Sequence, residues 1–259
     1  MKFQLLPSNV GKTSVVQHAT SLLIDDRVLI DAGSAGFCLS PEALAQITDI
    51  FISHTHMDHV ASLPTLLEAC IGYGLKTPVI WGSEETQRDI RQYVFNNYIW
   101  PDFFEVVIDG RPVIDFRVIK ETDKIQTGGL SIMPIPVRHV IETHGFLIES
   151  AEATLLISSD TGPTEKIWEL ANSLDRLDAV ILEVSFINDA EKLASLALHL
   201  TPAQFAREVA KITCHRPQIL AVHLKPWMRE TIIHELEHEK IEKLTIMQPG
   251  RDYHLPWKG

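Results

Sequence analysis

The stretch Phe51-Ile52-Ser53-His54-Thr55-His56-Met57-Asp58-His59-Val60 sets four potential metal-binding side chains within six positions, directly behind an apolar run of strand length. In an extended exit from that strand His54 and His56 point the same way, because side chains repeat every two residues. A helix beginning near Asp58 swings Asp58 and His59 toward a neighbouring point. One short loop therefore offers two ligands to each of two metals. Imidazole nitrogen and carboxylate oxygen suit Zn²⁺, Mn²⁺ or Fe, and the lack of Cys in the loop argues against a closed structural zinc site. The plainer alternative is a His-rich solvated loop. Four ligands in this order weigh against it.

Outward from this loop the chain is read as strands and helices in mixed order. Apolar, β-branched runs of strand length lie at Phe3–Leu6, Ser21–Ile24, Val28–Ile30, Ile50–Ile52, Val79–Trp81 and Val106–Ile108. They continue at Phe116–Ile119, Ile132–Ile135, Gly145–Ile148, Thr154–Ile157, Ala179–Val184 and Ile219–Val222, bounded by Gly, Pro, Asp or Ser. In LLIDDRVLIDAG, Asp25-Asp26 can turn the chain into a hairpin. Ser40-Pro41 and Thr201-Pro202 each read as an N-cap followed by a first-turn proline, the latter opening a helix over Ala203–Lys211. Further helices are expected at Val60–Ile71, Glu84–Tyr93, Thr164–Asn172 and Trp227–Lys240. The pattern suggests an α/β fold with two sheets between helices, an αββα sandwich. With 259 residues, no linker and no internal repeat, one domain over 1–259 is expected.

Composition narrows the partners. Twenty-three Lys and Arg against 34 Asp and Glu give a net charge of −11. A polynucleotide-gripping protein normally carries a basic face, so no long nucleic acid is expected. A small anion remains suitable if a metal supplies local positive charge. The three cysteines, Cys38, Cys70 and Cys214, show no CxxC spacing and no disulfide framework. No signal-peptide or membrane-spanning run is seen, so a cytoplasmic protein with no membrane partner is expected.

The HxHxDH pattern formed by His54, His56, Asp58 and His59 resembles the signature of the metallo-β-lactamase superfamily. The resemblance continues in order through Ile30-Asp31-Ala32-Gly33, His139, Asp160 in SSDTGP and His223 in AVHLKP. It implies an αββα four-layer sandwich with two divalent ions, zinc expected and manganese or iron as alternatives. His54, His56 and His139 would hold one ion; Asp58, His59 and His223 would hold the other, with Asp160 and a hydroxide between them. Such a centre retains about one positive charge, matched to a phosphodiester, and two ions roughly 3.5–4 Å apart can support an in-line displacement.

The segments SSDTGPTEKIWELAN, LEVSFIND, HLTPAQFAREVAKI and HLKPWMRETIIHEL resemble the class II 3′,5′-cyclic-nucleotide phosphodiesterases of this superfamily. The implied substrates are cyclic AMP, cyclic GMP or both, converted to 5′-monophosphates. Two departures stand out: Ser159 where the family often has Gly, and ETHGF, which places His144 near the site. By similarity to the tRNA 3′-processing nucleases, Glu183 and His199 are expected to form a proton-donating pair, with Asp58 also assigned to catalysis. Other readings are an RNA-processing nuclease, a hydrolase of another small phosphodiester, a mononuclear iron redox protein, or a non-catalytic binding protein.

Three other patterns are declined. His234-Glu235-Leu236-Glu237-His238 matches HExxH, but it falls near the end of the chain in Glu- and Lys-rich surroundings. Gly11-Lys12-Thr13 lacks the earlier glycine of a P-loop, since Leu6 stands there. The aromatic cluster YIWPDFF is read as core packing or a contact between two copies, so a homodimer is among the expected partners.

Overall fold

The structure is a computed structural model and describes residues 1–8, 15–108 and 110–257; the Gly11-Lys12-Thr13 segment lies outside them. The chain divides into two compact units, Lys2–Lys120 with Pro249–Asp252, and Glu121–Gln248 with Met1 and Tyr253–Gly259.

In the amino-terminal unit, β1 (Lys2–Leu5), β2 (Leu22–Ile24) and β3 (Val28–Ile30) run antiparallel. The Asp25-Asp26 turn joins β2 to β3 with both residues at positive φ, 47° and 58°, the left-handed pair that suits the twist of a tight hairpin. β4 (Asp49–Phe51) and β5 (Val79–Gly82) then add parallel to β3. A short exposed hairpin, β6 (Val107–Ile108) with β7 (Arg111–Pro112), precedes β8 (Asp115–Val118), which pairs parallel with β5. The helices here are α1 (Ala35–Cys38), α2 (Pro41–Leu44), α3 (Met57–Val60), α4 (Leu63–Gly72) and α5 (Glu84–Tyr93).

Their capping follows the sequence signals. Ser40 and Ser83 accept the N–H groups of Ala43 and Thr86, each cap contributing about 1 kcal/mol. The single helix expected over Val60–Ile71 is broken at Ala61-Ser62. There the Ser62 N–H and hydroxyl both turn to the carbonyl of Ala32, at 3.0 and 2.6 Å, and Pro64 brings no N–H to the restarted helix. The core packs Leu29, Ile50 and Ile80 from the sheet against Leu63, Leu66 and Leu67 of α4 and Ile90 of α5. Each such side chain, fully buried, contributes roughly 1.5–3 kcal/mol.

The carboxy-terminal unit holds β9 (Ile125–Thr127), β10 (Leu130–Pro136), β11 (His144–Glu149), β12 (Thr154–Ile157), β13 (Ala179–Glu183), β14 (Gln218–Val222) and β15 (Leu244–Ile246). They form one sheet in the order β15-β14-β13-β12-β11-β10-β9, antiparallel from β9 to β12 and parallel from β12 to β15. Its helices are α6 (Lys166–Ser173), α7 (Glu191–Ala197), α8 (Pro202–Val209) and α9 (Arg229–His238). The expected Thr201 cap is a full capping box with Gln204. Trp168 of α6, Phe205 of α8 and Ile232 and Leu236 of α9 pack on Leu156, Val180, Leu182 and Ala221 of the sheet. A last strand, β16 (Asp252–His254), edges the first sheet, where Gln4 Nε2 donates to Gly250 O and Asp252 Oδ1 at 3.1 and 2.8 Å.

Among the described residues no helix is long and apolar enough to cross a membrane. The aromatic cluster divides: Phe103 is buried in the core against Phe95, whereas Tyr98 and Ile99 are exposed. All three cysteines are free.

Candidate metal centre

Each unit gathers one group of candidate ligand side chains at the carboxyl ends of its parallel strands, where open α/β sheets present their sites.

In the amino-terminal unit the HxHxDH loop leaves β4 extended and turns into α3 at Met57. His54 Nε2 and His56 Nδ1 approach to 3.1 Å, with ring centroids 4.7 Å apart. Two nitrogens bound to one tetrahedral ion through bonds of 2.0–2.1 Å stand about 3.3 Å apart, so the pair is already spaced as ligands to a single ion. The donor atoms of Asp58 and His59 lie within 4.8 Å of each other.

Asp31 organises this loop from the end of β3. Its Oδ1 accepts the Ser53 N–H at 2.7 Å; its Oδ2 accepts the Ser53 hydroxyl at 2.8 Å and faces His59 Nδ1 at 2.7 Å. The carboxylate therefore assigns the His59 proton to Nδ1 and leaves Nε2 as the donor atom toward a metal. Ser53 Oγ does the same for His54, lying 2.9 Å from its Nδ1. The next residues clamp the backbone: Ala32 N–H donates to His59 O at 2.8 Å, and Thr20 N–H to Asp58 O at 2.7 Å. Gly33 lies so close beneath that a Cβ there would collide with Asp58 O and come within 2.7 and 2.8 Å of the Thr20 backbone.

In the carboxy-terminal unit His139 follows β10, Asp160 follows β12, Glu183 ends β13 and His223 follows β14. His223 Nε2 lies 3.6 Å from Asp160 Oδ2; His139 and Asp160 bring donor atoms within 4.8 Å. The His139 Nδ1–H donates to Leu198 O at 3.0 Å, which again gives Nε2 the lone pair that a metal could take. Glu183 is buried and ties three loops together. Its Oε1 lies 2.8 Å from His199 Nδ1 and accepts Thr161 N–H at 3.2 Å, beside Asp160; its Oε2 accepts the Ser185 hydroxyl at 2.8 Å. Ser185 Oγ in turn lies 2.8 Å from His223 Nδ1. Burial pulls the His199 pKa down, but the charge and hydrogen bond of Glu183, with Asp160 adding, outweigh it, and the net shift is upward. His199 is thereby more readily protonated than an ordinary histidine.

The donor sets fit borderline divalent ions: imidazole nitrogens, those of His54, His59, His139 and His223 oriented through Nδ1, two carboxylates and no thiolate. Sequence reasoning missed the parts played by Ser53 and Ser185. Both signals were local, since Ser53 precedes His54 and Ser185 stands two residues beyond Glu183, on the same side of the strand exit. The HExxH match dissolves here. Both of its histidines lie on the exposed face of α9, while Glu235 turns inward and accepts the Asn188 N–H at 2.8 Å, leaving no base beside a metal.

Comparison with known proteins places these clusters in a family. Residues 26–224 match the Beta-lactamase superfamily domain. The chain belongs to that superfamily. The metallo-beta-lactamase fold protein YhfI from Bacillus subtilis superposes with a TM-score of 0.73 at 17% identity, over 98% of this chain and 99% of YhfI, and the α/β, metallo-β-lactamase-like fold expected from the sequence is thus met. Among curated relatives of this superfamily, a "Probable 3′,5′-cyclic-nucleotide phosphodiesterase" of Yersinia pestis is 26% identical over 220 residues, 74% of this chain and 62% of the relative. A Ribonuclease Z of Methanococcus maripaludis is 29% identical over 261 residues, 82% of each. The chain thus spans less than two thirds of the phosphodiesterase relative.

Proposed function

We propose that residues 1–259 form one hydrolase domain, a dinuclear metal-dependent phosphodiesterase that opens 3′,5′-cyclic nucleotides to 5′-monophosphates. In this reading His54, His56 and His139 hold one divalent ion, Asp58, His59 and His223 the other, and Asp160 serves both. Two such ions supply charge neutralisation of the phosphoryl oxygens and activation of water. Zinc is the expected metal, with manganese or iron as alternatives.

The observation that carries the phosphodiesterase part of this reading is the buried Glu183–His199 pair, 2.8 Å apart and beside His223. Breaking a phosphodiester requires a proton for the leaving alkoxide, and a histidine oriented by a carboxylate can supply it. Glu183 orients His199 through Nδ1, so Nε2–H is the proton delivered. The net charge of −11 favours a small anion over a long polyanion.

A second reading, an RNA-processing nuclease, draws on the Ribonuclease Z relative, which is similar over 82% of both chains. One assay separates them. Protein loaded with zinc or manganese is given cyclic AMP, cyclic GMP, a chromogenic phosphodiester and an RNA with a 3′ extension. Formation of 5′-AMP or 5′-GMP, lost in His56→Ala, supports the first reading; cleavage of RNA alone establishes the second. His199→Ala is expected to lower turnover about 10²–10⁴-fold with metal content unchanged; loss of metal together with activity would remove its role as acid.

A further inference from the structure

We propose that His234 and His238 form a separate metal site on the surface of α9, a two-imidazole chelate for one borderline divalent cation of the copper or nickel type. Residues four apart on a helix stand one above the other, about 5–6 Å between Cβ atoms. Both histidines are exposed, so no protein group must be displaced to reach them. Their rings meet at a centroid distance of 4.5 Å and an interplanar angle of 73°. An imidazole centroid lies about 3.1 Å from an ion bonded at about 2.0 Å, so two rings at right-angled positions around one ion stand about 4.4 Å apart. The spacing therefore suits cis positions of the square or tetragonal geometry that Cu²⁺ and Ni²⁺ prefer.

A second observation concerns the tautomer. The His238 Nδ1–H donates to His234 O at 2.7 Å, one helical turn back. That bond leaves the Nε2 lone pair of His238 as its donor and fixes the ring orientation, as the partners of metal-binding histidines do elsewhere in this chain. His238 is also the last residue of α9, where unpaired carbonyls make the helix end attractive to a cation. Glu235 is committed inward to Asn188 N–H, so the remaining positions fall to water or to the exposed Glu237. The HExxH pattern thus supplies a chelate without a catalytic base.

The test uses full-length protein with its His/Asp clusters first loaded with zinc, titrated with Cu²⁺ in a non-coordinating buffer. Electron paramagnetic resonance reads the nitrogen ligands, and metal analysis tracks the zinc. One further Cu²⁺ per chain with two equatorial nitrogens is expected. Because the second imidazole binds intramolecularly, affinity should fall about tenfold or more in both His234→Asn and His238→Asn, while His254→Asn changes nothing. Copper should also raise the melting temperature of the parent by bridging two turns of α9, and not that of the variants. Equal copper affinity in parent and His234→Asn, or copper uptake matched by loss of zinc, would overturn the proposal.

Discussion

Asp31 commits both carboxylate oxygens to the loop that carries His54 and His59, yet it is not among the proposed ligands. Asp31→Ala removes the acceptor that orients His59 and frees the Ser53 N–H. Metal affinity should drop about 10–100-fold, read by competition with a chromophoric chelator. Ser159 makes a different point. It sits at φ 52°, in the left-handed region, immediately before Asp160. Glycine adopts that conformation freely, which accounts for its frequency at the matching position of the resembling family, while serine bears a cost of about 1 kcal/mol. Ser159→Gly should therefore raise unfolding stability by about 1 kcal/mol in chemical denaturation, and the β-branched Ser159→Val should lower it. The candidate ligands could be picked out in the sequence because each lies just past an apolar run. Their tautomers could not, since Asp31, Ser185 and the Leu198 carbonyl reach them only through the fold.

At the scale of elements, caps and turns were the readable part. Thr201-Pro202 and Asp25-Asp26 act locally, through side chains and dihedrals a few residues away. The short strands Ile125–Thr127 and Leu244–Ile246 were missed, because their few residues have meaning only when paired with neighbours. The helix α7 was missed as well; it buries little beyond Ala194 and so carries a weak apolar stripe. His144 opens β11 opposite Pro136 and is buried, and that burial, only partly opposed by Glu142 and Glu121, holds its pKa below the ordinary histidine value. As pH falls, the unfolded chain takes up this proton first. Its contribution is complete above a pH of about 6.5 and declines below it. The melting temperature of the parent should fall more steeply between pH 7.5 and 5.5 than that of His144→Gln, the metal ligands being common to both.

For the whole molecule, the net charge of −11 is the property that most separates the two readings of function. Turnover of a cyclic nucleotide depends weakly on salt, whereas RNA cleavage falls steeply as counterions compete for the backbone. Ions that bind only the folded chain would also link metal binding to folding. Removing metal with a chelator should abolish turnover and lower the melting temperature, with stability near 4 kcal/mol recovered at zinc a thousandfold above its dissociation constant. An unchanged melting temperature would show that the ions do not bind the folded state preferentially.

Gly33 is not among the proposed ligands, yet the backbone of Thr20 and Asp58 occupies the space any side chain would need. In a saturation-mutagenesis screen for activity this position should tolerate as little as His54. The two should fail differently: His54 variants should lose ion while the melting temperature of the metal-free protein changes little, whereas Gly33→Ala should displace the loop and lower the melting temperature with or without metal. Intolerance to change along this loop therefore records two separate pressures, the chemistry of the ligands and the room the chain leaves for them.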